Sequence, residues 1–154
     1  MVFTAVTYNS FAIQRSHSKN KLTAFTVVEN QVWDGAETAC AFPGSAANVA
    51  RLMGELDGRT IRIKSATITT GSAWATAVKI QPSLYEQGAM RFGGVTIIAS
   101  PNETNDLGFS DCLWSVDAKS AVTSGHWIYI PTYPASAPTA TNTSTVWVEL
   151  EVVE

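Results

Sequence analysis

From Thr145 to Val152 the chain alternates. Val146, Val148, Leu150 and Val152 hold one phase; Trp147, Glu149 and Glu151 hold the other. A period of two is that of a β-strand with one buried face, and such a strand needs a sheet already built to receive it. The same period recurs upstream. Leu22 to Trp33 carries Phe25, Val27, Val28, Val32 and Trp33 before a turn signal at Asp34-Gly35. In Arg59 to Thr70, Ile61 and Ile63 share a face while Ile68 falls on the other, which predicts a bulge or bend near Ser65-Ala66.

After Gly71-Ser72, Trp74, Thr76, Val78 and Ile80 alternate with polar or small residues until Pro82, which ends a strand because it donates no ladder hydrogen bond. Shorter apolar segments follow at 94–99, 112–116 and 126–130, then a Pro/Ala/Ser/Thr-rich loop over 131–144. One segment has helical spacing. With Ser45 as N-cap, Ala46, Val49, Ala50, Leu52 and Met53 recur every three or four residues towards Gly54 or Asp57-Gly58. No repeat of 20–50 residues is present, which argues against a propeller or solenoid. About eight short strands, long neutral loops and one short helix in a connection predict an all-β fold, most simply a two-sheet antiparallel jelly-roll sandwich.

At 154 residues the chain is the size of one domain with a core of its own. Hydrophobic residues make up 45% and charged residues 15%, against roughly 25% charged in ordinary globular domains, so much of the surface is neutral and suited to contacts between subunits. The net charge of −3 hides an asymmetry. Residues 1–91 carry nine of the ten Lys and Arg against six acids, whereas 92–154 carry one against seven. Sorting of that kind suits head-to-tail association or a weak polyanion contact.

The chemistry of catalysis is sparse. Two histidines, His17 and His126, come with no nucleophile elbow, phosphate loop or zinc-protease pattern, so no enzyme is expected. Cys40 and Cys112 lack metal-ligand spacing and read as small core residues. No apolar run approaches the roughly 20 residues of a membrane span, and no membrane partner is expected. The segment 101–111 gathers Glu103, Asp106 and Asp111, oxygen ligands of the kind calcium takes, without the spacing of an EF-hand. Calcium held there would lie between subunits, and no other cofactor is expected. Arg15, Lys19 and Lys21, with His17 among them, form a basic stretch near the N-terminus that would meet nucleic acid; Arg51, Arg59, Arg62 and Lys64 form a second.

The segments Asp57-Gly-Arg-Thr-Ile-Arg-Ile-Lys-Ser-Ala-Thr-Ile-Thr-Thr-Gly71 and Thr145-Val-Trp-Val-Glu-Leu-Glu-Val-Val-Glu154 resemble the early and final strands of single jelly-roll coat proteins from small icosahedral plant-type, positive-strand RNA viruses. The resemblance covers residues 22–154 and rests on strand and turn patterns, with no diagnostic motif. It implies a shell domain over 22–154 and an N-terminal arm or edge segment over 1–21. It also implies self-assembly of about 60 or 180 copies around a genome, with the protein in the virion and in the host cytoplasm during assembly. Many such proteins carry a long basic arm; here Arg15, Lys19 and Lys21 encode RNA contact weakly.

On that reading the mechanism is self-association through neutral loops, with Trp147, on the glutamate phase of the last strand, as the first interface residue. The alternative is a carbohydrate-binding β-sandwich or phage-type accessory domain. There, exposed aromatics such as Trp127, Tyr129 and Tyr133 would stack on sugar rings.

Overall fold

The computed structural model describes residues 10–33, 39–86, 89–93, 96–116, 127–132 and 141–153. Twelve strands and one helix fall within them. The described residues open with a hairpin, β1 (Ser10–Ser18) and β2 (Lys21–Trp33), closed by Lys19 and Asn20. Both turn residues have positive φ, 51° and 65°, as a two-residue hairpin loop of matching twist requires. Next come β3 (Ala39–Phe42), helix α1 (Ala46–Leu56) and β4 (Thr60–Thr70). Ser45 caps α1 by accepting the Asn48 N–H at 3.2 Å, and Val49, Leu52, Met53 and Leu56 form the helix's buried stripe.

Six short strands follow: β5 (Val78–Ile80), β6 (Ser83–Glu86), β7 (Ala89–Phe92), β8 (Ile97–Ala99), β9 (Thr104–Asp106) and β10 (Leu113–Ser115). The last two are β11 (Ile128–Pro131) and β12 (Asn142–Val152). The largest sheet runs β1-β2-β12-β4-β10, with β9 also paired to β4; a second runs β3-β11-β6-β7; β5 and β8 form a third. Every pairing is antiparallel.

β12 lies between the two other long strands, and register explains why its alternation is so clean. Val148 sits between Val27 and Ala66, and Leu150 between Phe25 and Ile63. All six are buried, which at about 1.5–3 kcal/mol for a fully buried aliphatic or aromatic side chain makes this row a main anchor of the sheet. The change of phase in β4 is resolved by one irregularity. Glu149 pairs with Ser65 and Leu150 with Ile63, so Lys64 is the extra residue, and Ile61, Ile63, Ala66 and Ile68 all reach the same core. The two larger sheets meet through aromatic rings: Trp114 stacks on Trp127 at 4.5 Å, and Phe42 lies 6.4 Å from Phe11 and 6.3 Å from Trp127.

The expected two-sheet jelly-roll sandwich of about eight strands is not what forms. Twelve strands fall into three separate sheets, none of them closed. The region after Gly71 shows why. Ala77 takes a positive φ of 57°, the regular strand shrinks to Val78–Ile80, and this fragment pairs with β8 instead of joining a larger sheet. Trp74 stands outside any strand and packs edge-on against Trp33 at 4.9 Å. Alternation reports which side chains can share a face; it does not name the neighbouring strand. The resemblance to jelly-roll coat proteins rested on the same strand patterns, and it is overturned along with the closed architecture, so the capsid and virion reading loses the fold that implied it.

Candidate functional site

The outer face of the largest sheet is assembled by register. Across it, Ala12, Val28, Trp147, Thr67 and Asp106 form one row, and Ser10, Asn30, Thr145, Thr69 and Thr104 the row beside it. On the other side of Trp147 lie Gln14, Thr26, Glu149 and Ser65. Adjacent strands stand about 4.8 Å apart and same-face residues along a strand about 6.8 Å apart. The 42%-exposed indole of Trp147 is therefore bordered by hydroxyl, amide and carboxylate groups. Several of these hold one another in place. The Thr145 hydroxyl donates to the Asn30 side-chain oxygen, the Thr69 and Thr104 hydroxyls bond at 2.8 Å, and the Trp147 N–H points to Glu149 Oε1 at 3.4 Å.

The other tryptophans belong to the interior: Trp33, Trp74, Trp114 and Trp127 are all buried. Trp127 thus presents no stacking surface, Tyr129 is half-buried, and Tyr133 lies outside the described residues, as does His126.

A second polar region lies where the β1–β2 hairpin meets α1. Arg15 Nε and Nη2 donate to the two Glu55 carboxylate oxygens at 2.7 and 2.6 Å, a forked pair. Around it a notch of about 390 Å³ is lined by Arg15, His17, Asn20, Leu22, Gly54, Glu55 and Arg59. Hydrogen bonding from Arg15 holds the Glu55 carboxyl below its ordinary range, with smaller contributions from the charges of Arg15, Arg59 and Arg51. The two basic stretches, separate along the chain, thus converge through Arg15, Arg51 and Arg59. Lys19 and Lys21 stand exposed at and beside the hairpin turn.

The acidic loop is held by local bonds. Glu103 Oε1 accepts the Ser100 N–H and Asp106 Oδ1 the Gly108 N–H, both at 2.6 Å, while the Asp111 N–H donates to the Ile63 carbonyl at 2.8 Å. Among the described residues no three His, Cys, Asp or Glu side chains converge as a metal site would require, so Glu103, Asp106 and Asp111 are not brought together within one chain. Among the same residues no helix is long and apolar enough to cross a membrane.

One carboxylate escaped notice in the sequence. Glu29 occupies the inward phase of β2 and is fully buried. Its oxygens accept the Gly44 N–H at 2.8 and 3.0 Å, Asn48 Nδ2 at 3.2 Å and Gln31 Nε2. Burial pushes its carboxyl upward; those three donors pull it back, and the upward effect is larger. The available signal was the run Phe25, Val27, Glu29, Gln31, Trp33, in which two polar residues interrupt an apolar phase.

No protein-family model matches the chain, and no curated protein matches it.

Proposed function

We propose that this chain is a non-catalytic accessory-type β-domain that binds an extended, neutral carbohydrate chain across the outer face of its largest sheet. The observation that carries this reading is Trp147, half-exposed at the middle of that face between rows of hydrogen-bonding side chains. An indole plane offers an apolar platform with one polar edge. The neighbouring Thr, Asn and Glu groups supply the few placed donors and acceptors that orient a polyhydroxylated ligand. A flat, open face buries little ligand, so affinity is weak for a single site and grows when several sites act together.

The test is a glycan array followed by fluorescence titration. Because the other four tryptophans are buried, ligand at Trp147 should alter the emission of an exposed indole, and Trp147→Ala should abolish both the change and the binding. A wild-type chain that retains no sugar on the array sinks the proposal.

A second reading, self-association as the structural subunit of a shell, has its own observation. Met90, Ile98 and Leu113 are 57%, 56% and 51% exposed and lie in three different sheets, which suits several distinct subunit contacts better than a single ligand face. Light scattering separates the two: uniform particles of very large mass favour the subunit, and a monomer that binds sugar favours the accessory domain.

A further inference from the structure

We propose that the outer edge of β1 is a pairing surface for a second copy of this chain, joined antiparallel about a two-fold axis beside Ala12. Pairing of this kind uses main-chain groups of the edge strand and stands apart from the carbohydrate reading.

An edge strand presents a row of main-chain donors and acceptors to any extended partner. Among the described residues β1 is the longest such edge: nine residues, against four in β3 and β7 and three in β5, β8, β9 and β10. Among the same residues it pairs with β2 alone and takes part in no other main-chain hydrogen bond. The opposite edge of that sheet is broken, because β10 and β9 pair with different ends of β4. Proteins guard a long edge with Lys, Pro or a bulge. In β1 the guards sit at one end. The register shifts between Ser16 and His17, the Ser16 carbonyl accepts the Thr23 hydroxyl at 3.2 Å, and Lys19 and Lys21 follow at the turn. Ser10 to Gln14 carries no charge, no proline and no irregularity.

That stretch is complementary to itself. Centred on Ala12, two antiparallel copies set Phe11 of one against Ile13 of the other, Ser10 against Gln14, and Ala12 against its own counterpart. Directly opposed residues of an antiparallel pair point to the same side. Phe11 and Ile13, half-buried and already packed on the core, therefore cover one another across the join, while the exposed side brings together small and neutral groups. Arg15 and the turn with Lys19 and Lys21 lie beyond the other copy's Ser10, so like charges do not face each other. The strand is also held in place: Arg15 is forked to Glu55 on α1, and Arg51 of the same helix lies over Phe11 at 5.2 Å. A pre-organised edge loses little entropy on pairing. So short a join stays below the roughly 1,200 Å² of standard stable interfaces, which makes the dimer weak and concentration-dependent. One consequence rests on the carbohydrate reading. Ala12 shares a row with Val28 and Trp147, so the two outer faces merge and their Trp147 platforms stand about five strand spacings, or roughly 24 Å, apart, where one long sugar chain engages both.

The experiment is sedimentation equilibrium of the full chain over a range of concentrations. With rising concentration the wild type should pass from 16.5 kDa to twice that mass. Ala12→Lys sets two cations against each other at the axis and should weaken association at least about tenfold, and Ala12→Glu should do the same with two anions. Because Ala12 is exposed, both variants should keep the wild-type circular dichroism spectrum. An equimolar mixture of the two should pair again as a heterodimer, which only a join that brings residue 12 against residue 12 allows. Leu113→Lys, on the opposite edge of the sheet, should leave the dimer intact. A chain that stays a monomer up to about 1 mM, association that Ala12→Lys does not weaken, or a mixture that does not restore pairing overturns the proposal. No sugar enters these measurements, so the dimer stands or falls separately from glycan binding at Trp147.

Discussion

Glu29 and Glu55 secure opposite ends of the same helix to the same hairpin, and they do so by opposite physics. Glu29, on β2, is fully buried at the start of α1 and meets only neutral donors: the Gly44 N–H, Asn48 and Gln31. Glu55, in the last turn of α1, is partly exposed and meets a cation, Arg15 on β1. Desolvation therefore raises the carboxyl of Glu29, whereas Arg15 lowers that of Glu55. Glu55 also lies near the helix C-terminus, where a negative charge is disfavoured by the helix dipole and needs a cation nearby. A buried carboxylate depends on having every donor in place; an exposed one depends on a partner that salt can screen.

The sharpest way to break the contrast is Glu29→Ala. It leaves the part-buried Gly44 N–H and Asn48 amide without this acceptor and Gln31 Nε2 with the Ala41 carbonyl alone, and should cost about 2–4 kcal/mol of unfolding free energy in a urea titration. A loss below about 1 kcal/mol would mean that water enters and satisfies these donors. The matching change at the exposed end, Arg15→Gln, should cost less than Glu29→Ala, with the difference from wild type shrinking as salt is added.

The pH dependence separates the two groups by sign. A carboxyl whose folded pKa is raised contributes stability that is present below its unfolded pKa and is lost as pH rises through the folded value. Glu29 thus makes the protein less stable with rising pH over that window, and Glu29→Ala should remove this slope. For Glu55 the folded pKa is lowered, so its contribution is present above the unfolded value and is lost as pH falls through the folded one. Glu55→Gln should flatten the acid limb. Finding both slopes with the same sign would refute the assignment. The smallest expected effect is at Trp147: Trp147→Ala should move stability by no more than about 0.5 kcal/mol while eliminating sugar binding, since the ring projects from the sheet instead of filling it.

Much of the strand content was legible because burial repeats at short range. Val146, Val148 and Leu150 announce a buried phase within five residues, and Ser45 with the three- and four-residue spacing after it announces α1. The break in phase between Ile63 and Ile68 pointed to a bulge that lies at Lys64. Trp74 misled, because its regular spacing with Val78 and Ile80 continues through a segment where Ala77 turns the backbone out of the β region. The candidate sites were less legible still. The basic stretches at 15–21 and 51–64 gave no sign of meeting around Glu55, and nothing in the order Thr-Ile-Thr-Thr or Asn-Thr-Ser-Thr places their hydroxyls beside one indole.

Local pattern by itself determined that this chain is mostly β, that one short helix interrupts it, and that its last strand buries one face. These follow from backbone geometry, whose periods of 2 and 3.6 are written into any amphipathic element. Tertiary structure alone decided that the twelve described strands divide among three open sheets, that Trp33, Trp74, Trp114 and Trp127 turn inward, and that Glu29 and Glu55 hold the two ends of α1. Each of those depends on which distant segments pair and in what register. Pairing is decided by the joint fit of two or more faces, and no single segment carries that information.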